Sequence, residues 1–297
     1  MGLFSGMFSG KSNRPDFTPD MMPKNRFELF FEMLKLNLFN LFKINCLYFL
    51  FWIPFWLWSW MNLNVFITQY DQNPSAFAAD GYLTIYLLGA ALCIAITGPA
   101  KCAVKYLTRN IARDEHIWLW SDFIGAMKEN WKQGLAMSVL NGIFVFTFIY
   151  GVYFYNIMAA STGSYIYLFM QVILVVLGCI YMMMNLYTWP MMVTYDLKFG
   201  QIIRNSLVLT VGRLPQSLLF GFLTALPVFI TVLWMPALIW YFIFGYAFAA
   251  FVNCSYTNAA FDRFFNTRIE GAETGRGMLK PEDDDEWEDL DPDEDDK

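Results

Sequence analysis

The sequence has few charged residues for its length, and their absence is concentrated in four stretches. Only 15% of its 297 residues are charged, whereas soluble domains average about 25%. No Asp, Glu, Lys, Arg or His occurs in four intervals of 27, 20, 63 and 48 residues, which are 44–70, 81–100, 133–195 and 214–261. A chain that is 57% hydrophobic and 19% aromatic could not hide this apolar surface in a soluble core. The absences therefore exclude an ordinary water-soluble domain and predict an all-α, polytopic membrane protein.

Residues that carry chemistry are also scarce. His116 is the only histidine and has no motif around it, and the five cysteines are scattered singly, with no Cys-x-x-Cys pair. Metal centres need clustered thiolates, imidazoles or carboxylates, and a nucleophile needs a nearby base. The sequence also has no Gly-rich phosphate loop of a known kind. We therefore expect no catalytic residue, no metal, no cofactor and no enzymatic activity.

The uncharged intervals are long enough to hold six membrane spans. A helix needs about 20 residues to cross the hydrocarbon core, because all of its backbone groups must be satisfied within the segment. The intervals then hold one, one, two and two spans. The predicted spans are 45–66, 82–100, 135–157, 165–188, 216–234 and 237–258.

Charge sorting indicates the orientation of these spans. With six spans, all 20 Lys and Arg residues fall on one side of the membrane and none on the other. Positive residues are enriched in cytoplasmic loops, so both termini are predicted to lie in the cytoplasm. An odd number of spans would destroy this separation, which supports the count of six independently of hydropathy.

Amphipathic segments precede the three outward-going spans. In the first, Phe27, Phe31 and Leu34 share one helical face, and Glu28 and Lys35 lie opposite. Similar segments are predicted around 120–132 and, more weakly, around 198–207. The chain is therefore predicted to form three hairpins with cytoplasmic amphipathic helices. Three structural repeats would explain this pattern, and so would the ordinary flanks of any inside-to-outside hairpin.

The composition changes abruptly near the end of the chain. Residues 282–297 contain twelve acidic residues and one Lys, so this segment should be disordered. Trp287 and Leu290 are its only large apolar residues, and they are either a short docking motif or part of a solvated tail. We therefore divide the chain into a cytoplasmic segment with an interfacial helix (1–43), a membrane domain (44–262) and an acidic tail (263–297).

The stretch after the second predicted span resembles the YesL-like family of bacterial membrane proteins. The similarity is carried by Thr97 to Lys101, Tyr106 to Asn110, Ala112 to His116, Trp120 to Phe123 and Lys128 to Gln133. The resemblance implies a bacterial cell membrane and a family without an established biochemical activity, often encoded near carbohydrate ABC transporters.

The residues of this stretch also suggest an interaction surface. Both signs of charge crowd into a short cytoplasmic loop, which is either satisfied by its own salt bridges or a docking surface for another protein. The candidate interaction residues, taken together with the tail, are Gly98, Pro99, Arg109, Asn110, Arg113, Glu115, Asp122, Asn130, Trp287 and Leu290.

Two functions are consistent with these features. The first is a non-enzymatic accessory protein that binds a transporter component or regulator on the cytoplasmic side, associated with carbohydrate uptake. The alternative is a permease for a neutral, sugar-like solute, which would use polar residues in the spans such as Asn141 and Gln171. The expected partners are the lipid bilayer and such a protein, and no nucleic acid is expected.

Overall fold

The computed structural model describes residues 22–72 and 79–278, and these residues form helices and connecting turns, without strands. The helices, in chain order, are α1 (Arg26–Leu50), α2 (Ile53–Gln72), α3 (Ala79–Ile96), α4 (Gly98–Ile111), α5 (Leu119–Glu129), α6 (Trp131–Thr162), α7 (Tyr165–Met192), α8 (Phe199–Gly212), α9 (Leu214–Leu233), α10 (Ala237–Trp240) and α11 (Tyr246–Phe264). A π-helical turn (Tyr241–Gly245) joins α10 to α11, and a 3₁₀ turn (Asn266–Arg268) follows.

Four of these segments are long and apolar enough to cross a membrane by themselves. They are α6, α7, α9 and the continuous segment Ala237–Arg268. Two further pairs qualify when each is counted as one bent span, α1 with α2 at 54° and α3 with α4 at 46°. The described part of the chain therefore contains four spanning helices, or up to six.

Helix breaks divide the first two predicted spans. The first predicted span, 45–66, is interrupted at 51–52, and the second, 82–100, ends at a break at Thr97. Pro54 and Pro99 lie just after the two breaks, at the second position of α2 and α4. Proline has no N–H to donate to the preceding turn and disfavours helical geometry in the residue before it, so the helix stops and restarts in a new direction.

Helices that carry charged residues precede α2, α6 and α9, where the sequence predicts amphipathic segments. α1 leads into α2, α5 into α6 and α8 into α9. In α1, Leu29 and Met33 are buried against the rest of the protein, whereas Phe27 and Phe31 of the predicted apolar face are exposed. α1 runs antiparallel to the last helix, with Arg26 paired to Asp262 at one end and Asn45 bonded beside the π turn at the other.

Packing divides the molecule into two layers. The charged layer consists of α1, α4, α5, α8, α11 with residues 265–278, the first two turns of α6 and α9, and the last two turns of α7. The apolar layer consists of α2, α3, α10 and the remaining turns of α6, α7 and α9. The two clusters of buried apolar side chains lie mainly in the charged layer. In the most apolar windows of the spans, only 6% of residues are buried in α9, against 39% in the segment Ala237–Arg268.

The predicted boundary between membrane domain and tail falls inside a helix. α11 continues to Phe264, and Met278 packs against the cluster formed by α1, α4, α5 and α11. Residues 263–278 are thus part of the helical body. The acidic residues 282–297, with Trp287 and Leu290, lie outside the described residues.

Candidate functional site

α4 is the central element of the charged layer. It contacts α1, α3, α5, α6, α7 and α11. Its apolar side chains are buried, but so are Lys105, Thr108 and Asn110 on its polar side. A helix with the pattern of a surface element is therefore largely enclosed, and its buried polar groups must find partners inside the protein.

Two glycines allow this close packing. A Cβ atom on Gly98 would overlap the carbonyl group of Gly134 in α6, and one on Gly134 would lie 2.8 Å from the Cys102 thiol. The backbones of α4 and α6 therefore touch at this crossing. Gly98, which the sequence placed among candidate interaction residues, acts here as a contact between helices.

Lys101, Lys105 and Arg109 form a cationic stripe along α4. Their spacing of four residues places them on one helical face, which is directed at α7 and α11. Lys105 is only 6% exposed. Its ammonium donates to Asn253 Oδ1 at 2.6 Å, and the Asn253 amide donates to the Leu186 carbonyl at 3.0 Å.

Proline explains why the Leu186 carbonyl accepts this bond. Pro190 lies inside α7 and has no N–H to donate to the carbonyl four residues earlier, which is that of Leu186. The Asn253 side chain of α11 donates to this carbonyl instead. One buried amide thus connects the cation on α4 with a helix defect in α7.

The other two cations of the stripe also contact neutral groups. The Lys101 ammonium lies 4.4 Å from the centre of the Trp189 ring. Arg109 donates to the Val193 carbonyl at 2.5 Å and to Asn110 Oδ1 at 2.8 and 3.0 Å. None of the ion pairs within the described residues includes a member of the stripe.

Asn258 is a buried polar side chain near one end of the stripe. It is 2% exposed, and neither its Oδ1 nor its Nδ2 atom has a hydrogen-bond partner in the described structure. It lies one helical turn beyond Cys254, whose thiol is 3.3 Å from the Thr108 hydroxyl of α4. A buried polar group without a partner normally destabilises a protein by about 1–3 kcal/mol. This end of the interface between α4 and α11 therefore contains polar atoms that lack a hydrogen-bond partner.

Several predicted interaction residues stabilise the α4–α5–α6 connection. Asp122 accepts from the Trp118 backbone N–H at 2.7 Å, which caps the start of α5. The Asn130 side chain donates to the Ala126 carbonyl at 3.2 Å, where α5 ends and α6 begins. Pro99 lies in the first turn of α4 and fixes the bend after α3.

Other predicted residues meet the segment that follows α11. Glu115 forms an ion pair with Arg276, which also pairs with Glu273, and both carboxylates raise the pKa of Arg276, Glu273 the more. A Cβ atom on Gly277 would lie 3.1 Å from the Arg113 carbonyl. The charged loop after α4 is therefore satisfied partly by its own protein, through residues far away in sequence.

Asp262 organises the same junction. It pairs with Arg26 and accepts from the Asn266 amide at 2.6 Å and from the Gly275 N–H at 3.0 Å. Tyr195 donates to Asn266 Oδ1 at 2.7 Å, and burial raises the pKa of this tyrosine to about 12. The start of α1, the end of α11 and the turn after α7 are joined by these bonds.

Exposed aromatic side chains mark the outer surface of this layer. Trp118 and Trp120 at the start of α5 are 70% and 64% exposed, and Trp131 at the start of α6 is also exposed. His116 stacks edge-on against Trp118 with 4.9 Å between ring centres. Within residues 22–72 and 79–278, no three His, Cys, Asp or Glu side chains are grouped so that they could hold a metal ion.

Sequence reasoning missed the buried stripe. It assigned Lys101 and Lys105 to a polar loop, because charge was used to find segments in contact with water. The spacing of Lys101, Lys105 and Arg109 was one available signal, and Pro190, just after the predicted span 165–188, was another. Only the fold shows that Asn253 lies opposite both.

The apolar helices define the class of this molecule, a multi-pass membrane protein. No protein-family model matches the chain, and neither a curated protein nor a solved structure matches it.

Proposed function

We propose that this chain is a six-span, non-enzymatic accessory protein of a bacterial cell membrane. Its charged layer and both termini face the cytoplasm, and this layer binds a transporter component or a regulator. Each of the two bent pairs is counted as one further span. The resulting six spans form three hairpins. The resemblance to the YesL-like family supports a bacterial protein associated with carbohydrate uptake.

One observation carries this proposal, which is the exposed aromatic surface on a compact charged layer. Trp118 and Trp120 extend from the start of α5, whose other face is held by the first cluster of buried residues. Exposed tryptophans on a rigid support are typical of the central anchors of protein interfaces. Lys128 is exposed near the end of α5 and can provide part of a polar rim.

The test compares two pairs of exposed tryptophans at opposite ends of the molecule. A photocrosslinking residue at Ile124, which is exposed one helical turn after Trp120, captures neighbours in native membranes. We expect one transporter subunit or regulator to be captured by the parent chain and lost from Trp118→Ala/Trp120→Ala. The matched control is Trp234→Ala/Trp240→Ala, whose side chains are 61% and 69% exposed in the apolar layer. Equal capture by both double variants would reject the proposed surface.

The alternative, a permease for a neutral solute, is favoured by the broken helices. Transporters often build their substrate sites from discontinuous helices, and this chain has breaks before α2 and α4 and a π turn before α11. Two of the polar residues in its spans nevertheless have hydrogen-bond partners within the protein. Tyr181 donates to Asn141 at 2.7 Å, and the Asn62 amide donates to Trp58 of its own helix.

Solute flux separates the alternative from the leading proposal. Liposomes that contain the purified protein are loaded with radiolabelled mono- and disaccharides. Efflux of the sugar is followed with and without an added ATPase. A permease would give saturable efflux above that of empty liposomes, whereas an accessory protein alone would give none.

A further inference from the structure

Two lysines of the stripe lie side by side without an anion. Lys101 and Lys105 are one helical turn apart, a spacing at which side chains are neighbours and like charges repel. Burying such a cation is unfavourable by several kcal/mol unless an opposite charge compensates for it. Among the described residues, no carboxylate forms an ion pair with either.

Their present contacts leave hydrogen-bonding capacity unused. An ammonium group has three N–H donors. Lys105 makes one hydrogen bond, to Asn253, and Lys101 contacts the face of the Trp189 ring. Lys105 is buried, whereas Lys101 is partly exposed, so the pair can be reached from the Lys101 side.

The helix crossing gives the depth of this pair in the membrane. Gly98 and Gly134 touch, which places Lys101 within about one turn of the start of α6. Trp131 and Lys132 are exposed at that start. Tryptophan and lysine at the end of an apolar helix are typical of the headgroup level of a bilayer. Lys101 therefore opens at the depth where lipid phosphates lie.

We propose that Lys101 and Lys105 bind the phosphate of an anionic phospholipid headgroup between α4 and α7. Lys101 donates hydrogen bonds to the phosphate oxygens, and Lys105 adds positive charge from behind. Basic sites between membrane helices commonly hold anionic lipids in this way. A free phosphate group shares this chemistry, but the depth of Lys101 favours the lipid. The site is independent of any protein partner.

Native mass spectrometry of the purified full chain tests the site. The protein is equilibrated in detergent with phosphatidylglycerol or phosphatidylcholine, and retained lipid is measured by titration. We expect preferential retention of phosphatidylglycerol, weakened about tenfold by Lys101→Met, since a charge-assisted hydrogen bond contributes at least 1.4 kcal/mol. Lys101→Arg should retain the lipid, because it keeps the charge. Lys132→Met is the matched control, an exposed lysine at the same end of the bundle.

Thermal unfolding without lipid, followed by tryptophan fluorescence, establishes that each variant is folded. Lys105→Met is also measured, but its lipid retention is interpreted only if the variant unfolds cooperatively. Lys101→Met changes the partly exposed lysine of the pair. Equal retention by the parent chain and Lys101→Met would overturn the proposal, as would equal losses in Lys101→Met and Lys132→Met. A third outcome is that inorganic phosphate stabilises the parent chain but not Lys101→Met, and that phosphatidylglycerol is not preferred. This would overturn the proposal of a lipid and indicate a soluble phosphate ligand at the same lysines.

Discussion

The charged and apolar layers share several helices but are packed in different ways. In α7, Tyr187, Trp189 and Met191 near the charged end are buried, whereas Phe169 and Val172 near the other end are exposed. Lipid chains solvate apolar side chains as well as other helices do, so apolar surface alone does not drive close packing within a membrane. Close packing is concentrated where polar groups and helix ends need partners. We expect mutations in the charged layer to be costly and matched mutations in the apolar layer to be mild.

Asn253→Leu should have the largest effect. It removes the acceptor of Lys105 and leaves the Leu186 carbonyl unpaired, which should destabilise the protein by about 3–5 kcal/mol, as expected when a buried charge loses its partner. Thermal unfolding in detergent, followed by tryptophan fluorescence, measures this loss. The control is Asn62→Leu, a buried asparagine that donates only within its own helix. Similar losses in the two variants would break the comparison.

Gly98→Ala should be the next most severe change. The added methyl group overlaps the Gly134 carbonyl, so two backbones must separate, at a cost of about 2–3 kcal/mol despite the better helix propensity of alanine. Gly151→Ala in the same partner helix is the control, because its methyl group would meet only the end of the Leu174 side chain at 2.8 Å. Unfolding temperatures of the two variants, measured together, should differ clearly, with Gly98→Ala the lower.

Asn45→Leu tests the connection between α1 and the π turn. The Asn45 side chain donates to the Phe242 carbonyl at 2.5 Å and accepts from the Ala247 N–H at 2.9 Å. Losing both bonds should cost about 1–3 kcal/mol and increase amide hydrogen exchange at 241–247. Exposed Asn64, which donates to the Trp60 carbonyl of its own helix, provides the matched Asn64→Leu control. Unchanged exchange in Asn45→Leu would show that the π turn is held by other contacts.

Arg276→Ala should have the smallest effect within the charged layer. Its ion pairs with Glu115 and Glu273 are partly exposed to solvent, so their loss should cost less than about 1 kcal/mol and less still at high salt. Arg268→Ala, at an exposed arginine outside the described ion pairs, is the control. A large loss in Arg276→Ala would show that residues 273–278 stabilise the layer far more than exposed ion pairs do.

The helical class and the positions of the long helices were predictable from the sequence. The uncharged intervals locate α6, α7 and α9 closely, because a membrane span requires about 20 residues without charge. Pro99 indicated that the second span ends near Gly98, where the structure has its break, but the break at 51–52 was not located, although Pro54 marks it. Hydropathy averages over a window and does not respond to a single missing N–H group.

The candidate site was predictable only in part. Asp122 and Asn130 were selected because they occur in a polar loop, and the structure uses both to hold helix ends. Lys105, Asn253 and Asn258 were missed, since charge was taken as a sign of exposure and asparagine as one of many polar residues in spans. Which polar groups face one another depends on long-range packing, which local sequence patterns do not encode.

The sequence by itself determined the class of molecule and predicted that all of its Lys and Arg residues lie at one end of the helices. Both follow from local physics, because an uncharged stretch either spans a membrane or does not, and each Lys or Arg stays near one end. The tertiary structure alone decided that α4 is enclosed and that Lys105 meets Asn253 beside the defect at Pro190. The physical reason is that burial is a property of the neighbours of a helix, and two of these neighbours, α7 and α11, contact α4 through residues 90 and 148 positions away in the chain.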